Sequence, residues 1–432
     1  MRRIYWGWYV VFGAFMFLSI NYGARYCFGI FVKPLSEEYG WSRSVISLGA
    51  TLNMLSYSVC AILIGRIIDR TAPRWIITGG ALIASSGFIL LNYVKTPLEF
   101  YVAYGLLVGM GSSGLGLVVT NASAAKWFIS KRGVAIGIST MGISFGTIIL
   151  TPMAGYIVTA FTWREGFLFL GMLIFVVGVV LSQILMKKTR PEAYGLNPDG
   201  VVNEQIGEAS EEPLSQYKIS YFEMFLDFRF WNIAIAYGLI VLTMITVFVH
   251  QVPYAQDNGI DKLAAASSLG VLGIAGFLGQ FFFGYLSDRF DDPKYSAILG
   301  IVIMIAGMLI LLQVKSVPLL YTYTIVYGFG YGSIAPMMIL LPADRFGRHV
   351  LGSVYGMITF FIGLIGSTGP VLGGLLFDYF DSYQLVWQFN IAFLMTALFI
   401  ILSLRPSNAA THRKQDTLVT DKWQIDNNGA RT

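Results

Sequence analysis

The feature that most constrains this chain is a succession of long apolar stretches that leaves little room for anything else. A helix that crosses a bilayer needs about 20 mostly apolar residues. Stretches of that kind run at 8–32, 45–66, 75–94, 98–122, 133–158 and 166–186, then at 231–256, 263–286, 295–313, 318–341, 350–377 and 385–404. Charge is sparse to match. Only 12% of the 432 residues are charged, against roughly 25% in a soluble domain, and the mean hydropathy is +0.66. The expected fold class is an all-α membrane protein of twelve transmembrane helices in two six-helix bundles. Arg2 and Arg3 precede the first stretch, which is too long for a signal peptide's core and has no small-residue cleavage site after it. It reads as a retained spanning helix.

The halves are set apart by one polar interval and related by a repeat. Residues 187–230 carry Lys187, Lys188, Arg190 and an acidic patch at Glu208, Glu211 and Glu212. The expected organisation is a bundle over 1–186, a cytoplasmic linker over 187–230, a second bundle over 231–404 and a polar tail over 405–432. Gly65-Arg66-Ile67-Ile68-Asp69-Arg70 is echoed by Gly284-Tyr285-Leu286-Ser287-Asp288-Arg289 at an offset of 219 (284 − 65). The same offset pairs Pro34 with Pro253, Gly40 with Gly259, Gly133 with Gly352 and Gly137 with Gly356.

Orientation follows from the 29 Lys and Arg. Only Lys33, Arg43, Lys95, Arg164, Lys262 and Lys315 fall on the loops opposite the chain termini, so both termini are expected in the cytoplasm. The formal net charge of +5 comes from short loops rather than a basic stripe, which argues against a nucleic-acid partner. Cys27 and Cys60 lie in apolar stretches and make no disulfide or metal framework. There is no phosphate-binding glycine loop with lysine and no nucleophile elbow, so neither an ATPase nor any other enzyme is expected. No cofactor is implied.

Two repeats of six spans, each with a G-x-x-x-D-R loop after its second span, resemble the major facilitator superfamily of transporters. The resemblance implies a cytoplasmic gate: Asp69 near a facing helix N-terminus, where the helix dipole favours a carboxylate, and Arg70 tying the cytoplasmic ends together, with Arg74 completing the loop. Asp288 and Arg289 would do the same in the second half. A narrower likeness rests on Tyr26 to Leu35 with Gly40-Trp41-Ser42, on Lys126-Trp127-Phe128, on Arg190 to Gly200, and on His250 to Asp257. These stretches resemble the bacterial branch of monocarboxylate transporters and oxalate:formate antiporters, which implies a small carboxylate moved with a proton or exchanged for another anion. The family's arginine in the eighth span, which anchors the substrate carboxylate, is replaced here by Gln280. Tyr26 and Tyr331 enter the candidate site through this likeness.

The residues themselves offer few candidates for chemistry. Apart from Arg66, the last residue of its stretch, Arg25 is the only basic residue inside a span, where its insertion costs about 2.5–3.5 kcal/mol. It reads either as a cavity-facing anchor for an anion, which a guanidinium binds bidentately, or as an arginine reaching outward or held by backbone carbonyls. Glu99, at the very start of the fourth stretch, is the only acid within any of them, and none lies deeper inside a span to pair with Arg25. His250 reads as a substrate or proton site or as a histidine satisfied by a neighbouring carbonyl. Asp257, two helical turns on, reads as an outer gate. Gln280 reads as a ligand for a carboxylate or as an inter-helix hydrogen bond; Asn53, Asn121 and Asn390 read as helix–helix contacts.

The reading is a monomeric secondary transporter of the bacterial inner membrane, moving a small organic anion by alternating access, with protons as a candidate coupling ion. Arg25, Tyr26, His250, Gln280 and Tyr331 would bind the substrate. Efflux of a neutral or hydrophobic molecule is the alternative, and a transporter-like membrane sensor a remote one.

Overall fold

The computed structural model describes residues 5–68, 71–128, 132–187, 225–290, 292–346 and 351–405. Among them twelve helices are long and apolar enough to cross a membrane. They are α1 (Trp6–Tyr39), α2 (Arg43–Gly65), α3 (Pro73–Tyr93), α4 (Pro97–Ala124), α5 (Val134–Ala160), α6 (Trp163–Leu185), α7 (Phe228–Asp257), α8 (Lys262–Ser287), α9 (Lys294–Leu311), α10 (Val317–Phe346), α11 (Gly356–Phe380) and α12 (Gln384–Ser403). The seventh begins at Phe228 rather than 231, with the Asp227 carboxylate accepting from the Arg229 backbone N–H at its start. Six helices form each bundle. The ends carrying residues 5 and 405 are called proximal here, and those carrying Gly40 and Gly259 distal.

The repeat seen in the sequence recurs in the backbone. Gly40 closes α1 at φ 66° and Gly259 follows α7 at φ 80°, both in the left-handed region where a side chain is strained. Pro34 and Pro253 both sit inside helix near these distal ends. A Cβ on Gly137 or on Gly356 would meet nothing within 4 Å. The fourth helix of each half breaks at matching places, α4 at Leu115–Gly116 and α10 at Gly332–Ser333. α1 breaks at Cys27–Phe28, directly after Arg25 and Tyr26. Broken helices at such depth are tolerated where they line a cavity or are covered by protein.

Lipid offers no hydrophobic drive between helices, so they are held by close contact. A Cβ on Gly146 of α5 would stand 1.9 Å from the Ser19 carbonyl oxygen of α1, and one on Gly142 2.2 Å from that of Phe15. In the second bundle, Gly279 of α8 leaves only 2.2 Å for a Cβ before the Phe329 carbonyl of α10. The bundles meet through two helix pairs that the repeat makes equivalent, α5 with α8 and α11 with α2, and also through α1 with α7, where a Cβ on Gly29 would stand 2.5 Å from the Phe248 carbonyl oxygen. Gly155 faces Ala266 and Gly273 faces Thr147 and Ile148 across the first; Gly374 faces Ser44 and Gly363 faces Ser58 across the second.

Gly146→Val should abolish accumulation of folded protein, because the new atoms meet backbone that cannot retreat. Gly137→Ala should fold like the wild type; monodisperse yield after detergent extraction, compared for the two, checks this.

Candidate functional site

Two groups of polar residues lie between the bundles, one near mid-span and one at the distal end. The first is organised on Arg25. Its Nε donates to the Asn53 Oδ1 at 2.9 Å, and its guanidinium lies 4.5 Å from the Tyr57 ring centroid and 5.8 Å from that of Tyr22. The Tyr22 and Tyr57 hydroxyls hydrogen-bond each other at 3.1 Å. Neither Nη of Arg25 has a partner among the described residues, nor is either one sealed off as a buried orphan atom. Among the described residues, no acid pairs with this cation. The arginine is held by an amide and two aromatic rings, not by backbone carbonyls.

Aromatic rings continue the wall. Tyr26 stacks on Phe248 of α7 at 4.2 Å and 16°, and Phe248 meets Tyr331 of α10 edge-on at 5.8 Å. Gly276 lets Tyr331 lie against α8: a Cβ there would be 2.8 Å from its ring. One turn along α8, Gln280 donates from Nε2 to the Ser144 Oγ of α5 at 3.1 Å, tying the two bundles. Arg25, Tyr26, Tyr331 and Gln280 thus fall in one belt spanning α1, α7, α10 and α8.

His250 lies outside that belt. It has no exposed surface, and both its ring nitrogens are engaged: Nε2 lies 2.8 Å from the Pro370 carbonyl and 3.3 Å from the Ser47 hydroxyl, Nδ1 3.1 Å from the Tyr383 hydroxyl. A carbonyl only accepts, so Nε2 carries the proton and Nδ1 accepts from Tyr383. This arrangement fits the alternative read from sequence, a histidine satisfied by a neighbouring carbonyl: the ring lies among Ser47 of α2, Pro370 of α11 and Tyr383 at the start of α12.

The ring instead joins the distal group. Arg43 donates from Nη1 to the Tyr383 hydroxyl at 2.6 Å and pairs through Nη2 with Asp257, which also holds Lys33 at 3.2 Å. The Arg43 guanidinium lies 3.9 Å from the Phe377 ring centroid. The Asp378 carboxylate of α11 accepts from the backbone N–H groups of Arg43 and Ser44, at 3.0 and 2.9 Å. A carboxylate from one bundle therefore caps the positive end of a helix in the other. These contacts join the bundles at the distal end. Asp257 stands where an outer gate was expected, with partners the sequence reading had counted only as loop charges. Beside them a cavity of about 360 Å³ opens at the distal mouth, lined in part by Lys33, Glu37, Glu38, Gln256 and Lys262 and not by Arg25.

The proximal end looks different. Asp69 and Arg70, and the side chain of Asp288, lie outside the described residues. Arg289 does not cross between bundles: it reaches back to the Tyr285 hydroxyl of its own helix. Arg74 lies over Trp75, and its Nε has no hydrogen-bond partner among the described residues. A buried ion pair here stays within one bundle, Arg345 holding Asp292 through two contacts at 2.9 and 2.7 Å. Among the described residues, the bundles share no ion pair at this end.

Asn53, Tyr57, Arg43, Asp378 and Tyr383 were not singled out from sequence as site residues. Arg43 carried one legible signal, a base immediately after a Ser helix cap on the side poor in bases.

Comparison with known proteins bears on the family and the fold. A family model described as Major Facilitator Superfamily matches residues 14–276 and 233–424. Monocarboxylate transporter 12-B of Danio rerio is 26% identical, over 88% of this chain and 82% of its own length. Monocarboxylate transporter 2 of Homo sapiens is 22% identical, over 89% of this chain and 82% of its own. The crystal structure of a D-xylose-proton symporter superposes with a TM-score of 0.73 at 14% identity, covering 94% of this chain and 99% of that one. An inward-facing bacterial homolog of the human lysosomal transporter Spinster superposes with a TM-score of 0.70 at 16% identity, covering 94% and 98%.

If Arg43 and Asp257 seal the distal end, Asp257→Asn should expose the residues beneath them. With Cys60→Ser as background, a Ser47→Cys thiol should react several-fold faster with a membrane-impermeant maleimide when Asp257→Asn is added. Equal rates would show that the pair does not close this end.

Proposed function

Because this chain belongs to the Major Facilitator Superfamily, we propose that it is a secondary transporter carrying a small, monocarboxylate-like organic anion across the membrane by alternating access. One observation carries the reading: Arg25 lies between the bundles, and among the described residues neither Nη has a hydrogen-bond partner and no acid pairs with it. A guanidinium so held binds a carboxylate bidentately. A single cation in the belt suits a monoanion better than a dianion such as oxalate. The vertebrate relatives named as monocarboxylate transporters support the same class. Tyr26, Phe248 and Tyr331 would cover the substrate's apolar body, with Gln280 supplying a polar contact where the family places its anchoring arginine.

Alternating access draws support from the distal end, where charged contacts join one bundle to the other and would have to part for that end to open. By the distribution of Lys and Arg, the proximal end faces the cytoplasm. The plasma membrane is the proposed location; its bacterial identity rests on the sequence resemblance alone.

The distal group also bears on coupling. His250 Nδ1 accepts from Tyr383, whose oxygen accepts from Arg43. A proton added at Nδ1 would leave the Tyr383 hydrogen without an acceptor and place a second positive charge beside Arg43. Protonation would therefore loosen the seal, which favours proton symport over exchange. A second reading, efflux of a neutral hydrophobe, draws on the same aromatic wall but leaves Arg25 without a task.

Uptake into proteoliposomes of labelled lactate, pyruvate, acetate, formate and oxalate tests this, with and without an inward proton gradient. A monocarboxylate should be taken up under the gradient, Arg25→Ala should abolish that uptake and Arg25→Lys retain part of it. Uptake indifferent to Arg25→Ala would overturn the anion reading; uptake only against a preloaded anion would establish exchange.

A further inference from the structure

The structure treats Asn53, Asn121 and Asn390, the three asparagines read from sequence as helix–helix contacts, differently. Asn121 Oδ1 and Asn390 Nδ2 are buried with no hydrogen-bond partner among the described residues. Asn53 is buried, at 3% exposure, and both ends of its amide are engaged. Its Nδ2 donates to the Tyr104 carbonyl of α4 at 2.9 Å, while its Oδ1 accepts from Arg25 Nε at 2.9 Å. The two partners independently demand the same orientation, because a carbonyl can only accept and a guanidinium N–H can only donate.

We infer that Asn53 is the positioning residue for Arg25, turning the guanidinium so that its two Nη groups form the edge a ligand meets. The argument begins in packing. A Cβ on Gly105 would stand 2.8 Å from the Leu52 side chain, and one on Gly109 2.5 Å from the Asn53 carbonyl oxygen. These two glycines let α2 approach α4 closely enough for the Asn53 amide to reach Tyr104. The carbonyl it meets belongs to a stretch of wide helical turns, Tyr101–Val108. With Nδ2 committed there, Oδ1 has one direction left, toward α1, where it takes the Nε–H.

The ring of Tyr57 beneath the guanidinium fixes its second degree of freedom. A planar group held at Nε and against one face keeps little rotation. Its remaining donors then lie in one plane, the arrangement that gives two parallel bonds to a carboxylate. Without Asn53, the long side chain would recover its rotamers and would have to lose them again on binding. The expected consequence is weaker binding rather than slower movement of the bundles. That consequence rests on the anion reading above; the Arg25–Asn53 geometry does not.

Two measurements on the full-length protein separate these layers. The first is water exchange of the Arg25 Nε–H by nitrogen-15 NMR on arginine-labelled protein, the signal assigned by its loss in Arg25→Lys. Exchange should quicken at least tenfold in Asn53→Leu and stay unchanged in Asn390→Leu. Unchanged exchange in Asn53→Leu overturns the assignment, whatever the protein carries. The second is lactate and pyruvate uptake. Asn53→Leu should raise KM about tenfold with kcat within twofold, and should add nothing to KM in an Arg25→Lys background. A fall in folded yield and kcat with unchanged KM would make Asn53 a helix–helix contact only, which also overturns it. If the wild type carries neither acid, the anion reading fails, and the exchange measurement still decides the positioning.

Discussion

Close backbone contact between helices is the constraint on which the rest of this structure depends. With apolar chain on one side and lipid on the other, burying a leucine gains little, so association rests on atoms brought near enough to attract. The glycines make that possible where α1 meets α5, α8 meets α10 and α2 meets α4. The same contacts place the polar groups. Asn53 reaches a carbonyl of α4 because Gly105 and Gly109 carry no side chain in the way, and Arg25 is held because Asn53 is held. A polar site in a membrane interior is thus a product of packing, and its precision is that of the helix contacts beneath it.

The two ends of the molecule are built on different terms. At the distal end, Lys33, Arg43, Asp257 and Asp378 join one bundle to the other, so those charges are reorganised if the bundles separate there. At the proximal end, the Arg345–Asp292 pair stays inside one bundle and would ride with it. Contacts between bodies distinguish conformations; contacts within a body do not. The family resemblance implies a carboxylate on a facing helix N-terminus at Asp69, which lies outside the described residues; among the described ones that contact is made by Asp378 at the opposite end. The physics expected of Asp69 is visible at another residue.

Polarity of hydrogen bonds gives the distal group its direction. Because Pro370 offers only an acceptor, His250 must donate from Nε2, and every partner from there to Arg43 follows in turn. A buried histidine of this kind is structural in one protonation state and disruptive in the other. That makes it part of the distal group and sets it apart from the belt around Arg25.

The sequence by itself determined the twelve spans, their division into two repeats and the presence of one cation without a partner. Each is written in local composition or in a fixed offset, as when Gly40 and Gly259 both take the left-handed conformation. It also placed Tyr26, Gln280 and Tyr331 in one region, through family likeness rather than through spacing. Only the tertiary structure decided which asparagine holds Arg25, which way His250 faces and which bases close the distal end. Those partners lie on different helices, and helix rotation about its own axis is set by packing between helices. A sequence records the order of residues along each helix and leaves open which of them meet.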